Sequence, residues 1–414
     1  MKQKKAARPP RAVLWLALVL IVAVAAGLWW VSRPVPSGLL RLVPVSYGGL
    51  PGWDETDAGP ALAAFRRSCV ALLKMPRSLP MGGLGYAGTV GDWQGVCSAS
   101  RNVVVGPDGV RAWFESRFVP FQIRAGAQRG ALLTGYYEPE IAASRVKRDA
   151  FAIPVYGLPR DLVTADLGLF RTNLSGIRIV GRVVRGQVVP FPTRADIDTN
   201  GLADAPVLLY ANDPVSVFFL QIQGSGRARL ENGVTLRLAY AGQNGQPYTP
   251  IGRTLIENGG LDRAHMSMQA IRAWLTAHRG EAPHVMESDR SYVFFRELPI
   301  GDPRLGSPGS EGVPLTPETS IAVDPAIHAL GLPIFVATEA PAADPAGKAQ
   351  PFNRLCVAQD TGGAIKGDLR ADVFWGFGGR AEAIAGRMKS IGSLYVLLPK
   401  MLAGHMPAKF LATS

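Results

Sequence analysis

The chain has 414 residues, 47% of them hydrophobic and 18% charged, which excludes a disordered protein and leaves room for two ordinary domains. Its 44 Lys and Arg against 32 Asp and Glu give a formal charge of +12, which suits an anionic lipid surface or a carboxylate-bearing polymer. Without a Lys/Arg stripe carrying interleaved aromatics, nucleic acid is the weakest partner, and the lack of a Walker A, H-E-x-x-H, C-x-x-C or G-x-S-x-G motif removes most support from metal and triad chemistry.

The first predicted element is a membrane segment. Lys2, Lys4, Lys5, Arg8 and Arg11 precede Ala12–Val31, an uncharged run of 20 residues with Trp29 and Trp30 at its far end. As a helix such a run rises about 30 Å, the thickness of a bilayer's hydrocarbon core. The basic flank keeps the short tail in the cytoplasm and places everything after Arg33 outside. A cleaved signal peptide with Ala23-Val24-Ala25 as its site is the alternative, and both readings export the rest of the chain. Residues 33–38, RPVPSG, read as an extended proline-bearing tether.

Beyond it, Asp57 stands where a helix N-cap is expected, and Leu62, Phe65, Cys69 and Leu72 follow along one face. Export allows Cys69 and Cys97, 28 positions apart, to form a disulfide. Cys356, within the apolar run RLCVAQ, reads as a buried, inert thiol. Gly83, Gly85 and Gly88 satisfy G-x-G-x-x-G, but no strand precedes them and no βα unit follows, so the match reads as chance.

From about residue 145 to 245 the pattern turns to short β-rich runs, FAIPVYGL, GIRIVGRVVRGQVVPFP, PVLLYAN, VSVFFLQIQGSG and VTLRLAYAG, broken by Gly, Pro and Asn-Gly. Ser267 then caps a helix with Ile271, Trp274 and His278 on one face and Gly280 past its end. After Ser291 strands return in YVFFRE, SIAVD, PIFVAT, RLCVAQD, ADVFWGFG and SLYVLLP. The expected class is mainly β with peripheral helices.

Asp324 in SIAVD, Asp360 in QDTGGAIKG and Asp372 in ADVFWG resemble the carboxy-terminal three-aspartate domain of the membrane-bound lytic murein transglycosylase A family. Upstream, LLTGYYEPE (132–140), FFLQIQGSGRARLENG (218–233), YAGQNGQPYTPIGRTLIENG (240–259), SMQAIRAWL (267–275) and SYVFFRE (291–297) are similar to the rest of that family, in the same order. The resemblance implies a double-psi β-barrel built from segments on both sides of an inserted β-rich domain, with a groove between them for a glycan strand. It divides the chain into a tail, anchor and linker (1–36), a first barrel part with helices (45–142), an inserted substrate domain (143–299) and a three-aspartate barrel part (300–414). It also implies cleavage of the β-1,4 bond between N-acetylmuramic acid and N-acetylglucosamine in peptidoglycan, with closure of a 1,6-anhydro ring. No cofactor or metal is implied, and cell-wall synthesis or remodelling proteins are the further partners.

By the same resemblance Asp372 falls at the acid/base position and Asp360 at a second aspartate of the site, placed to accept N–H bonds from its turn. Thr134, Tyr136 and Tyr137 match the groove-lining TGYY, with strand packing into the core as the alternative. Gln223, Gly224, Ser225 and Gly226 match QGSG, with a hairpin turn as the alternative. Lys366 is expected to pair with Asp360 or to reach a stem-peptide carboxylate, and a solvated loop charge is its other reading. Asp324, before Pro325, is read either as part of the site or as a turn cap.

Two departures stand out. The interval from Asp360 to Asp372 is one residue longer than the family pattern, which makes Asp368 a rival, although its polar stretch is expected to leave it solvated. No cysteine lies near the end of the apolar segment, whereas members of this family are often lipoproteins. The expected address is therefore the bacterial inner membrane, single-pass, with the working part in the periplasm.

The chemistry follows from the residues. A glycosidase needs two carboxylates, but one suffices when the substrate's own 6-hydroxyl replaces water. The acid protonates the glycosidic oxygen and then, as carboxylate, takes the proton of that hydroxyl. Such an acid must hold its proton near neutrality, which burial beside apolar groups provides, and Asp372 shares a strand face with Phe374. The rival readings are a wall-binding protein that uses the barrel without catalysis and a glycan hydrolase that uses water.

Overall fold

The structure, a computed structural model, describes residues 40–411 apart from 104–105, 127–129, 175 and 264–265. The expected anchor, Ala12–Val31, and the tether at 33–38 lie outside the described residues. Among the described residues no helix is long and apolar enough to cross a membrane.

Among the described residues seventeen strands carry the architecture. In chain order they are β1 (Leu40–Pro44), β2 (Phe118–Ala125), β3 (Ala131–Glu138), β4 (Glu140–Ser144), β5 (Ile153–Tyr156), β6 (Leu162–Asp166), β7 (Arg178–Val184), β8 (Gln187–Pro190) and β9 (Val207–Ala211). They continue as β10 (Gly226–Leu230), β11 (Thr235–Gln243), β12 (Val293–Leu298), β13 (Ser320–Val323), β14 (Pro333–Ala340), β15 (Gln350–Asp360), β16 (Arg370–Phe377) and β17 (Lys389–Pro399).

Six strands close a ring in the order β3-β16-β13-β15-β14-β17, with β17 returning to β3. The long β17 makes this closure: Lys389–Gly392 pair with β3, while Tyr395–Pro399 pair with β2, which carries β1 at the rim. The pairs β3/β16 and β13/β15 are parallel and the other ring pairs antiparallel. A parallel pair needs a long crossover, and between β3 and β16 that crossover includes the whole inserted part. The apolar runs PIFVA and LCVAQ are buried at nearly every position, as expected of strands covered on both faces.

Helix Gly59–Leu72 covers the barrel with Leu62, Phe65, Cys69 and Leu72 buried, the face expected from their spacing. Asp57 caps it from one position further out than expected. Its Oδ1 accepts the Gly59 N–H at 2.9 Å, and Ala58 is the N-cap. Cys69 and Cys97 form a disulfide joining this helix to helix Val90–Ser100. Replacing both by Ser is expected to cost about 3 kcal/mol under oxidising conditions, read as a lower denaturant midpoint, with no change once the wild type is reduced. Cys356 is free and buried, and burial pushes its thiol up to about 12, so it is inert.

The inserted part is a six-stranded sheet, β12-β11-β10-β4-β9-β5, with a separate three-stranded sheet, β6-β7-β8. Ile141, Val155, Leu209, Leu220, Leu238 and Phe295 make its core. One expectation is corrected here: VSVFFLQ is not a strand but part of helix Pro214–Gln223. Asp213 accepts the N–H groups of Val215 and Ser216, Pro214 occupies the first turn, and Gly224 ends the helix at φ 77°. These start and stop signals outweigh the β-branched and aromatic composition of the run.

Candidate active site

Strand register brings the two aspartates together. Ala322 on β13 lies opposite Asp372 on β16 and opposite Asp360 on β15. The two carboxylates therefore flank one strand on the same face, with Cα atoms roughly 10 Å apart. They open into a cleft of about 650 Å³ between the barrel and the inserted sheet. Gly135, Tyr136, Asp360, Arg370 and Asp372 line it from the barrel, and Gln223, Gly224, Ser225, Tyr240, Tyr248 and Arg296 from the other side.

Asp372 sits opposite Thr134 of β3, whose hydroxyl donates to Asp372 Oδ1 at 2.6 Å. Arg370 Nη2 donates in turn to Thr134 Oγ1 at 2.8 Å. A guanidinium can only donate, so the single hydroxyl proton of Thr134 is left for Asp372. Burial raises the Asp372 carboxyl to about 6; Asp360 acts in the same direction, while Thr134 and the Arg370 cation oppose it. Phe374, two residues along the same strand, packs on Tyr136 with ring centroids 5.2 Å apart and keeps water from this end of the site.

Asp360 is held by four donors. Ser310 N, Ser310 Oγ and Thr361 N each reach Oδ1 at 2.9 Å, and the Tyr136 hydroxyl reaches Oδ2 at 2.8 Å. Burial raises its pKa and these bonds oppose the rise. With its lone pairs engaged, Asp360 is fixed in orientation, and it fixes Tyr136 and the Ser310 loop in return.

The next residue of that loop anchors it elsewhere. Glu311 Oε2 accepts from Ser68 of helix Gly59–Leu72 at 2.7 Å, and burial lifts its carboxyl to about 7. Because the folded state binds this proton more tightly than the unfolded chain does, the stabilisation is complete below the ordinary Glu range and fades as pH rises through about 7. Glu311→Gln is therefore expected to raise the melting temperature at pH 8 and leave it nearly unchanged at pH 5, checked by calorimetry at both values.

The other expected site residues divide. Tyr136 lines the cleft, but strand alternation turns Tyr137 into the core, where it is 2% exposed. Gln223 accepts the Tyr137 N–H at 3.1 Å and so ties the end of helix Pro214–Gln223 to β3. Gly224 is that helix's left-handed cap, and Ser225 faces the cleft. Gly226 is a packing glycine, since a Cβ there would meet Pro139 O at 2.6 Å.

Lys366 pairs not with Asp360 but with Asp324, at 3.6 Å. Asp324 also accepts the N–H groups of Gly367 at 2.9 Å and Ala326 at 3.2 Å, so it pins two turns, and neither Lys366 nor Asp324 lines the cleft. Asp368 is not solvated: it is 7% exposed, and its carbonyl accepts from His328 Nε2 at 2.9 Å. It too lies outside the cleft lining. Arg370 and Ser310 were not anticipated. Arg370 was within reach, two residues before Asp372 on the same strand face, whereas Ser310 lies in the stretch GSPGSEG (306–312), which carries no motif.

Residues 132–296 match the MltA specific insert domain, and residues 319–398 match the 3D domain. Over 280 residues the chain is 34% identical to the membrane-bound lytic murein transglycosylase A of Escherichia coli (strain K12), covering 66% of this chain and 67% of that one. The chain belongs to the membrane-bound lytic murein transglycosylase A family. Membership makes it an enzyme of the peptidoglycan-degrading lyase class. Its fold matches the crystal structure of the membrane-bound lytic murein transglycosylase from Agrobacterium tumefaciens with TM-score 0.78 and 32% identity, covering 89% of this chain and 100% of that one. It also matches the E. coli transglycosylase A structure with bound chitohexaose at TM-score 0.63 and 25% identity, covering 89% and 97%.

Proposed function

We propose that this transglycosylase A family member cleaves the β-1,4 bond between N-acetylmuramic acid and N-acetylglucosamine and closes a 1,6-anhydro ring, with Asp372 as the sole acid and base. The observation that carries this reading is a carboxyl lifted to about 6 by burial, on the wall of a cleft of about 650 Å³. Protonated Asp372 gives its hydrogen to the glycosidic oxygen, and the bond to the anomeric carbon breaks. The resulting carboxylate takes the hydrogen of the muramyl 6-hydroxyl as that oxygen attacks the same carbon, which regenerates the acid. Asp360 stays oriented throughout by its four donors. Tyr136, Tyr240 and Tyr248 offer ring faces to the sugars, and Ser225 and Arg296 offer donors.

The family's double-psi connectivity is the topology we assign to the six-stranded ring. The bound chitohexaose of the E. coli relative supports a glycan in the cleft. The names of the relatives support membrane association, and we place the anchor at Ala12–Val31 with the catalytic part in the periplasm. Thr134, Tyr136 and Gln223–Ser225 are the residues we assign to the glycan cleft.

Digestion of purified sacculi in ¹⁸O-water with mass spectrometry of the products tests the reaction. Anhydro-ended muropeptides without ¹⁸O are expected, because the attacking oxygen is the substrate's own. Labelled reducing ends identify a hydrolase and overturn the assignment, as does the absence of products.

A further inference from the structure

The three-stranded sheet β6-β7-β8 has an unpartnered apolar face. Val183 lies opposite Val188 and Ile179 opposite Ala165, so alternation sets Ile179, Val183 and Val188 on one side, all exposed. The strip continues through exposed Ile177 into the loop joining β6 to β7, where Leu169 is 86% and Phe170 76% exposed. Elsewhere exposed large apolar residues are more scattered, so this concentration in about twenty residues needs an occupant.

Charge identifies the occupant. From residue 160 to 190 the chain has five Arg (160, 171, 178, 182 and 185) and two Asp (161 and 166), a net of +3, with no Lys or Glu. Arg178 is paired with Asp166 at 3.4 Å, while Arg171 and Arg185 are exposed and carry no ion pair among the described residues. None of these residues lines the glycan cleft, and aliphatic side chains offer a sugar no hydrogen bonds. An exposed Leu-Phe tip with β-branched neighbours, with the exposed Arg171 and Arg185 beside its two ends, matches the interface of an anionic bilayer, where apolar side chains enter the acyl boundary and guanidinium groups meet lipid phosphates.

We propose that this sheet face docks on an anionic phospholipid surface. The placement rests in part on the anchored reading of Ala12–Val31. Only eight residues separate Val31 from Leu40, a span of at most about 30 Å, so an anchored chain keeps its body within reach of the headgroups. Docking this sheet would give the inserted domain a second attachment.

Hydrogen exchange of the full-length chain in detergent, in phosphatidylcholine vesicles and in vesicles containing about one-third phosphatidylglycerol tests the proposal. Exchange across 167–188 is expected to slow at least fivefold on the anionic vesicles only, and to return to the detergent rate in the Leu169→Asp/Phe170→Asp variant, whose cleavage of soluble glycan fragments is unchanged. Equal exchange in all three settings overturns the proposal, as does equal protection on both vesicle types. Protection in detergent that grows with protein concentration identifies a second copy of the chain as the occupant and also overturns it. Free exchange at 12–31 beside protection at 167–188 refutes the anchor while supporting the docking face; the reverse pattern refutes the docking face and keeps the anchor.

Discussion

Asp372→Asn is expected to lower release of peptidoglycan fragments by about 10³-fold while leaving glycan affinity within a few-fold of wild type. General acid and base assistance is worth 10²–10⁴ in rate, and in the proposed mechanism one group supplies both halves of the cycle. Asn keeps the shape and accepts the Thr134 hydrogen bond but has no proton to give. Stability separates lost chemistry from lost folding. The folded Asp372 carboxyl titrates near 6, above an unfolded aspartate, so its stabilisation is present at low pH and disappears as pH rises through that value. The variant should therefore melt at a higher temperature than wild type at pH 8. Undiminished turnover in a folded variant would remove Asp372 from the mechanism.

Arg370→Gln has a different expected signature. The rate should fall about tenfold, and the alkaline limb of the pH profile, which the proposed mechanism ties to loss of the Asp372 proton near 6, should move to higher pH. The sign follows from charge: the cation favours the carboxylate, so its removal lets Asp372 keep its proton longer. The variant also frees the Thr134 hydroxyl to turn away from Asp372, since Arg370 Nη2 no longer occupies its lone pair. Arg370→Lys should restore the limb and only part of the rate, because an ammonium retains the charge without the planar fork. A lower rate with an unmoved limb would reduce Arg370 to a packing role. The full profile of kcat with a soluble glycan fragment decides between these outcomes.

The two cleft aspartates of the candidate site are legible in the sequence because their signals are local. Asp360 precedes a glycine-rich turn and Asp372 enters an apolar strand, and both features follow from strand–turn–strand grammar. What sequence could not supply was register. Only pairing with Ala322 shows that these two carboxylates share one wall, while Asp324, the third member of the motif, turns away to hold Lys366 and Gly367. Register also decides between the two readings of Tyr137, since one step along β3 exchanges cleft for core and Tyr137 takes the core position. In VSVFFLQ the composition said strand, but Asp213, Pro214 and Gly224 carried the helix signals that prevailed. Asp368 lies in a polar stretch yet is buried against His328, a contact between segments 40 residues apart that no local pattern encodes.

Carbon-13 NMR titration of Asp-labelled protein, with Asp372→Asn to assign the resonance, measures directly whether the Asp372 carboxyl keeps its proton in the free enzyme. A midpoint near 6 for the Asp372 carboxyl carbon is expected. A midpoint at or below the ordinary aspartate value of about 4 would leave no acid to protonate the glycosidic oxygen near neutrality and would contradict the mechanism.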